Sequence, residues 1–171
     1  QKGQDLLIAA FAGLCRLRAD VRLKIVGYGA DQSQIQAQIS QLGLGDRVSI
    51  EHFPDSPAEP LSTSDVYVCT SRWEGWSLAI CEALRFGLPV ISTDCDFGPS
   101  DILTDRRLGH LVPLSPPRRL IRWLTKEMVY YCDNLAAERR HAEFRKSYVE
   151  RFSVERVARV HAEAIECVIR G

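Results

Sequence analysis

The apolar positions of this chain alternate between a spacing typical of helices and short runs typical of buried strands. Apolar residues recur at helical spacing from Leu6 to Leu17, and a strand-like run from Val21 to Val26 follows and ends at glycines. A second helix is predicted over 31–42, where Gly43 ends it, and a second strand over 47–53. Alternation of this kind favours parallel strands joined by crossover helices.

The rest of the chain continues this alternation and then becomes helical. Pro54, Pro57 and Pro60 predict a loop with at most a short helix. The elements predicted beyond it are a strand at 65–70, a helix at 76–86, a strand at 88–93 and helices at 117–131, 135–150 and 153–169. We therefore predict an α/β fold, with a Rossmann-like parallel sheet and helices on both faces over 1–115. Residues 116–171 are predicted to form C-terminal helices that pack on the same domain.

Composition narrows the functional classes. The chain has 171 residues, of which 46% are hydrophobic and 26% charged, and its net charge is zero, so we expect no nucleic-acid partner. Six cysteines occur without a CxxC pair, which predicts reduced thiols and no zinc site. No apolar run is long enough to span a bilayer and no signal peptide opens the chain, so we expect a cytoplasmic protein.

The run from Thr70 to Leu84 carries the most informative chemistry. Glu74 and Glu82 lie eight residues apart across a turn containing Gly75 that leads from a strand into a helix. The first amides of a helix are unpaired and lie at the positive end of its dipole, which suits a phosphate. Because a helix rises 1.5 Å per residue, the two carboxylates are separated by on the order of 10 Å. This spacing predicts a site for a diphosphate flanked by two sugars.

The same run resembles the E-x7-E motif of retaining glycosyltransferases with the GT-B architecture, glycosyltransferase family 4 in particular. Four further segments resemble that family in the same order: the opening helix from Lys2, the strand ending in Gly27-Tyr28-Gly29, the segment 87–94, and the segment 98–103. The resemblance implies that the chain is the donor-binding half of a GT-B enzyme. Such an enzyme moves a sugar from a UDP-, GDP- or ADP-sugar to an acceptor hydroxyl with retention of configuration, in polysaccharide, lipopolysaccharide or glycolipid synthesis.

The resemblance also implies roles for single residues. Glu74 would be the catalytic carboxylate that contacts the transferred sugar, and Glu82 would bind the ribose hydroxyls. Lys2 would contact the diphosphate together with an arginine from a first strand upstream of Gln1, and no metal would be needed. The backbone amides expected to meet the phosphates or the sugar belong to Gly75, Trp76, Ser77 and Leu78. The turn with Gly27 and Gly29 would approach the donor nucleotide, and residues 53–56, which begin at Phe53, would stack on the base or bond to it.

Other interpretations of these residues remain open. Gly27-Tyr28-Gly29 with Glu51 at the next strand end is also compatible with an NAD-binding oxidoreductase, although the third glycine of that motif is replaced by Gln32. A non-catalytic nucleotide-binding module is a further alternative. His52 is predicted to be structural rather than catalytic.

Two expectations concern partners. An N-terminal acceptor domain is expected upstream, so the fragment alone should bind a donor without transferring its sugar to an acceptor glycan or glycolipid. The basic segment 118–126 is read first as an amphipathic helix packed on the domain, and second as a peripheral contact with anionic lipid.

Overall fold

The computed structural model describes residues 1–53 and 58–170, apart from the side chain of Arg170. Over these ranges, five strands alternate with helices, and the C-terminal third is helical. The strands are β1 (Leu23–Val26), β2 (Val48–Glu51), β3 (Tyr67–Cys69), β4 (Val90–Asp94) and β5 (Gly109–Pro113). The α-helices are α1 (Gln4–Cys15), α2 (Gln32–Gln41), α3 (Ala58–Ser62), α4 (Leu78–Arg85), α5 (Pro99–Ile102), α6 (Pro117–Glu138), α7 (Ala142–Val149) and α8 (Val154–Arg170).

All strand pairs are parallel, as the alternating pattern predicts, but they form two sheets. One sheet has the order β1-β2 and the other has the order β3-β4-β5. Within the described residues no strand pairs with the second edge of β1 or of β3. This division into two sheets differs from the single sheet that the sequence predicted.

Helices cover both faces of the three-stranded sheet. In β4, Ile91 belongs to a core with α1 and α6, whereas its neighbour Val90 belongs to a core with α4 and α7. Successive side chains of a strand point to opposite faces, so the two cores lie on opposite sides of the sheet. Strand β4 is therefore buried on both sides, as expected for a parallel sheet between helical layers.

The C-terminal helices differ from the prediction in two ways. Helix α6 continues through 131–135 to Glu138, and the break falls at the 3₁₀ turn Arg139–His141. Within this continuous helix the Asn134 side-chain amide donates to the Tyr130 carbonyl one turn earlier. In α8 the side chains of residues 154–169 are exposed, so this helix does not pack on the domain as predicted.

Candidate functional site

The carboxyl ends of β3 and β4 and the first turn of α1 meet at one edge of the sheet. The Thr70 hydroxyl lies 3.0 Å from the Lys2 carbonyl oxygen and 2.9 Å from that of Gly3, and the Arg72 amide donates to the Gln1 carbonyl. Gly3 adopts a positive φ, and a Cβ there would lie 2.1 Å from the Thr70 carbonyl oxygen, so only glycine fits. These contacts fix the start of α1 against the loop that follows β3.

Glu74 is held at this junction. Its Oε1 accepts hydrogen bonds from Lys2 Nζ at 2.8 Å and from Ser71 Oγ at 2.6 Å, and the side chain is only 7% exposed. Its other oxygen, Oε2, makes no hydrogen bond within the described residues. Lys2 and Glu74, which the sequence proposed separately, are therefore direct partners, and one carboxylate oxygen remains available to a ligand.

Donors are available at the turn into α4. Within the part of the chain that the structure describes, the backbone amides of Gly75, Trp76 and Ser77 have no acceptor, and neither does the Ser77 hydroxyl. The Leu78 amide differs from the prediction because it donates to the Trp76 carbonyl. A Cβ at Gly75 would meet no protein atom within 4 Å, so the space in front of these amides is open.

Glu82 lies about one turn inside α4, with an exposed side chain and no ion pair among the described residues. Partial burial by neighbouring atoms nevertheless raises its pKa. Burial also raises the pKa of the Tyr67 hydroxyl, and the negative charges of Glu82 and Glu74 add to that effect. Both carboxylates thus act on the same hydroxyl, and among the described residues only Glu74 has a cationic partner.

The glycine turn and the following strand form a second concave surface. A cavity of about 310 Å³ is lined by Val26, Gly27, Tyr28, His52 and Phe53, at the carboxyl ends of β1 and β2. Gly27 has a φ of 141°, which requires glycine, whereas a side chain at Gly29 would meet open space. Residues 54–56, proposed to contact the base, lie outside the described residues.

His52, predicted to be structural rather than catalytic, makes a ring contact but lies outside the core. Its side chain is exposed, and its ring packs edge-on against the Tyr28 ring at a centroid distance of 4.9 Å. Tyr28 itself is 84% exposed. The two rings together form an accessible wall of the cavity rather than part of a core.

Several groups near the site were not predicted from the sequence. Asp94-Cys95-Asp96 is an Asp-x-Asp sequence at the end of β4, with both carboxylates exposed. Its spacing was visible in the sequence. Across residues 1–53 and 58–170, no group of three or more His, Cys, Asp or Glu side chains is arranged to hold a metal ion. Ser71, the second donor to Glu74, gave no sequence signal because its role depends on the fold of the loop.

The fold and the site define a Rossmann-like domain that presents unpaired amides, a lysine and two carboxylates at the carboxyl edge of a parallel sheet. The chain belongs to the glycosyl transferases group 1 family, whose model matches residues 1–127, and its fold is that of a C-terminal GT-B domain. No helix in the described part of the chain combines the length and apolar character that crossing a membrane requires.

This chain matches curated relatives over part of their length. A lipopolysaccharide 1,6-galactosyltransferase of Salmonella typhimurium is 31% identical over 114 residues, which cover 64% of this chain and 32% of that protein. A phosphatidyl-myo-inositol mannosyltransferase of Mycobacterium tuberculosis is 27% identical over 159 residues, covering 92% of this chain and 42% of that protein. Across these curated relatives, the match spans from 16% to 42% of the relative's own length.

Solved structures show the same fold. The pneumococcal O-GlcNAc transferase GtfA, in complex with UDP and GlcNAc, superposes with a TM-score of 0.84 at 22% identity, covering 99% of this chain and 34% of that one. The Anabaena protein HepE in complex with UDP gives a TM-score of 0.81 at 22% identity, covering 97% of this chain and 45% of that one.

Proposed function

We propose that this chain is the donor-binding half of a retaining glycosyltransferase that uses a nucleotide diphosphate-sugar. The observation that carries the proposal is the set of three unpaired amides at 75–77 beside the Lys2–Glu74 pair. These amides lie at the positive end of α4, where an anionic group gains both hydrogen bonds and favourable interaction with the helix dipole. Family membership supports transfer chemistry over hydride transfer, and so disfavours the oxidoreductase alternative.

In this proposal the diphosphate occupies the open space in front of Gly75, Trp76 and Ser77. Lys2 adds a positive charge that stabilises the negative charge developing on the leaving diphosphate, as is usual for electrostatic catalysis. The same lysine partly neutralises Glu74, which would otherwise repel the phosphates. The free oxygen of Glu74 then accepts a hydrogen bond from the transferred sugar, which is the role proposed for this residue.

Glu82 is proposed to bind the ribose. Its carboxylate is accessible and unpaired among the described residues, so it can accept two hydrogen bonds from a vicinal diol. Because a carboxylate accepts these bonds better than a carboxylic acid does, nucleotide binding should counteract the raised pKa of Glu82. The base then lies toward the cavity lined by Gly27 and Phe53, with Gly29 at its rim.

The finer parts of the proposal concern the whole protein. Relatives named for lipopolysaccharide and phosphatidylinositol substrates support a role in polysaccharide or glycolipid synthesis. We also propose that the sugar is transferred with retention of its anomeric configuration, that the protein is cytoplasmic, and that an acceptor domain lies elsewhere in the protein. A contact of the α6 surface with anionic lipid is part of the same proposal. Leu120 and Leu124 pack inward, and the basic side chains exposed on this surface are Arg118, Arg119, Arg122 and Lys126.

Calorimetric titration of the 171-residue chain with UDP, GDP, ADP and NAD tests the proposal. We expect one nucleoside diphosphate to bind, NAD not to bind, and the isolated chain to transfer no sugar to an added acceptor. Tight binding of NAD alone would favour the oxidoreductase alternative. Nucleotide binding without transfer by the full-length protein, across a panel of glycan and glycolipid acceptors, would favour the non-catalytic module.

A further inference from the structure

Phe97 adopts a backbone conformation that its side chain disfavours. It follows β4 in the loop before α5, with φ at +63°, and no other non-glycine residue in the described part of the chain has a positive φ. Its side chain is 73% exposed, so it adds little to the core. Strained backbone of this kind persists where the surroundings enforce it, often at binding sites.

The residue that follows Phe97 packs against the turn before α4. Gly98 also has a positive φ, and its amide donates to Asp101 Oδ2 at 3.1 Å in the first turn of α5. A Cβ at Gly98 would lie 3.2 Å from the Ser77 amide nitrogen, so this glycine packs directly on the turn that carries the unpaired amides. Because consecutive Cα atoms are about 3.8 Å apart, Phe97 lies at the rim of the same site.

Stability alone would favour glycine at position 97, because glycine adopts this conformation without strain. The position therefore supplies a side chain rather than a backbone conformation. An exposed aromatic ring beside hydrogen-bonding groups matches a pyranose, which has hydroxyl groups at its edge and an apolar C–H face. Asp94 and Asp96, which shortly precede Phe97 in the chain, are both exposed, and their negative charge disfavours an anionic lipid surface as the ligand.

We propose that the Phe97 ring is a platform on which the apolar face of a pyranose stacks while its hydroxyl groups bond to Glu74 and to the turn before α4. This inference rests on the proposed function, because the sugar must reach the ring from a nucleotide at the amides of 75–77. The donor sugar and an acceptor sugar share this chemistry, and the experiment distinguishes them.

The test uses the full-length protein with Phe97→Gly, Phe97→Asn and Phe97→Trp. Affinities are measured for UDP, GDP and ADP and for their glucose conjugates, together with thermal unfolding and the KM for acceptor. We expect Phe97→Gly to raise the unfolding midpoint because it relieves the strain. Phe97→Gly and Phe97→Asn should weaken binding of the glucose conjugate by about two- to tenfold, the range for one aromatic contact, and leave nucleotide affinity unchanged. Phe97→Trp should keep the affinity for the glucose conjugate close to that of the wild type, because it retains an aromatic ring.

The control Leu17→Asn removes an exposed apolar side chain at the opposite edge of the sheet and should change neither affinity. A rise in acceptor KM with unchanged donor affinity would also support the platform and assign it to the acceptor sugar. Unchanged affinities and unchanged KM in Phe97→Gly and Phe97→Asn would overturn the inference. Failure of the wild-type protein to bind any of the three nucleotides would instead overturn the proposed function.

Discussion

The two carboxylates of the site are held in opposite ways. Glu74 is buried and its position is fixed by Lys2 and Ser71, whereas Glu82 is exposed and has no such partners among the described residues. A carboxylate with two donors on one oxygen has a defined orientation for its second oxygen, which suits contact with a reacting sugar. A carboxylate without partners is free to exchange water for ribose hydroxyls.

Glu82→Ala is therefore expected to weaken nucleotide affinity without unfolding the domain. The loss should be about 1–3 kcal/mol, the range for hydrogen bonds to a charged group, and calorimetric titration measures it. Glu163→Ala, which removes an exposed carboxylate from α8, is the matched control and should have no effect. Equal affinity of wild type and Glu82→Ala for the bound nucleotide would rule out the ribose assignment.

The raised pKa of Glu82 gives the same residue a stability signature. In a folded protein a raised acid pKa means that the charged form is disfavoured relative to the unfolded chain. The cost of burying the charged Glu82 is absent below the ordinary pKa of 4.5, where the carboxyl is protonated in both states. This cost lowers the stability of the folded protein as the pH rises through the pKa of Glu82 in the folded state. We expect Glu82→Gln to raise the unfolding midpoint slightly at pH 7 and not at pH 4. A midpoint lowered at pH 7 would contradict this expectation.

Asp94 and Asp96 allow a test of metal dependence. Amides and a lysine can balance a diphosphate without a divalent ion, so we expect nucleotide affinity to be the same in EDTA as in millimolar Mg²⁺. The double variant Asp94→Asn/Asp96→Asn should then bind as the wild type does. Binding that requires Mg²⁺ and is lost in the double variant would show that these carboxylates hold a metal.

At the scale of elements, a buried ion pair connects α6, α7 and the amino edge of the sheet. Arg145 is fully buried and donates to Glu138 Oε2 at 2.5 Å and to the carbonyls of Gly87, Arg107 and Glu138. Burial lowers the pKa of its guanidinium, and the Glu138 carboxylate opposes that effect. The pair lies before β4 and β5, at the opposite edge of the sheet from the unpaired amides.

Arg145→Met is expected to destabilise the protein by about 3–5 kcal/mol, because it leaves the Glu138 carboxylate buried without its partner. Adding Glu138→Gln should recover part of that loss by removing the charge. Urea denaturation measures both effects, and nucleotide affinity in the absence of urea should not change. A loss below about 1 kcal/mol for Arg145→Met would show that water or another group satisfies Glu138.

How well the sequence predicted an element depended on what defines that element. Helix α4 was predicted to within two residues because its apolar spacing and the glycine turn are local signals. Strand β5 was not predicted, since five residues starting at Gly109 and ending at Pro113 give no clear periodicity. A Cβ at Gly109 would lie 2.1 Å from the Val90 carbonyl oxygen, so this glycine is required by β4, a partner that local sequence does not reveal.

The candidate site shows the same limit. The sequence located Glu74, Glu82 and the turn between them, because their spacing along the chain is itself the signal. It did not reveal that Lys2 bonds to Glu74 or that Gly98 packs on Ser77, since both contacts join segments distant in sequence. Phe97 gave no sequence signal at all, because its positive φ is imposed by the fold.

At the scale of the whole molecule, the separation into two sheets has a defined geometry. At the two ends of β1, the amides of Leu23 and Gly27 donate toward β2. Because successive amides of a strand point to opposite edges, those of Lys24 and Val26 point away from β2. In β3 the Tyr67 amide donates toward β4, and the Val68 amide points away from it. Lys24 Nζ also reaches Thr63 Oγ1, just before β3, so the two open edges belong to neighbouring regions of the molecule.

We predict that a strand from upstream of Gln1 fills the space between β1 and β3 in the full-length protein and joins the two sheets into one. A parallel strand followed by α1 and then β1 forms a right-handed crossover unit, which is nearly universal in such sheets. The same strand would bring the upstream arginine expected beside Lys2 to the carboxyl edge.

Hydrogen exchange of the Lys24, Val26 and Val68 amides should be fast in the 171-residue chain and at least about a hundredfold slower in the full-length protein. The Ile25 amide, which points toward β2, should be protected in both and serves as the internal control. Fast exchange of the three edge amides in the full-length protein would mean that the two sheets remain separate.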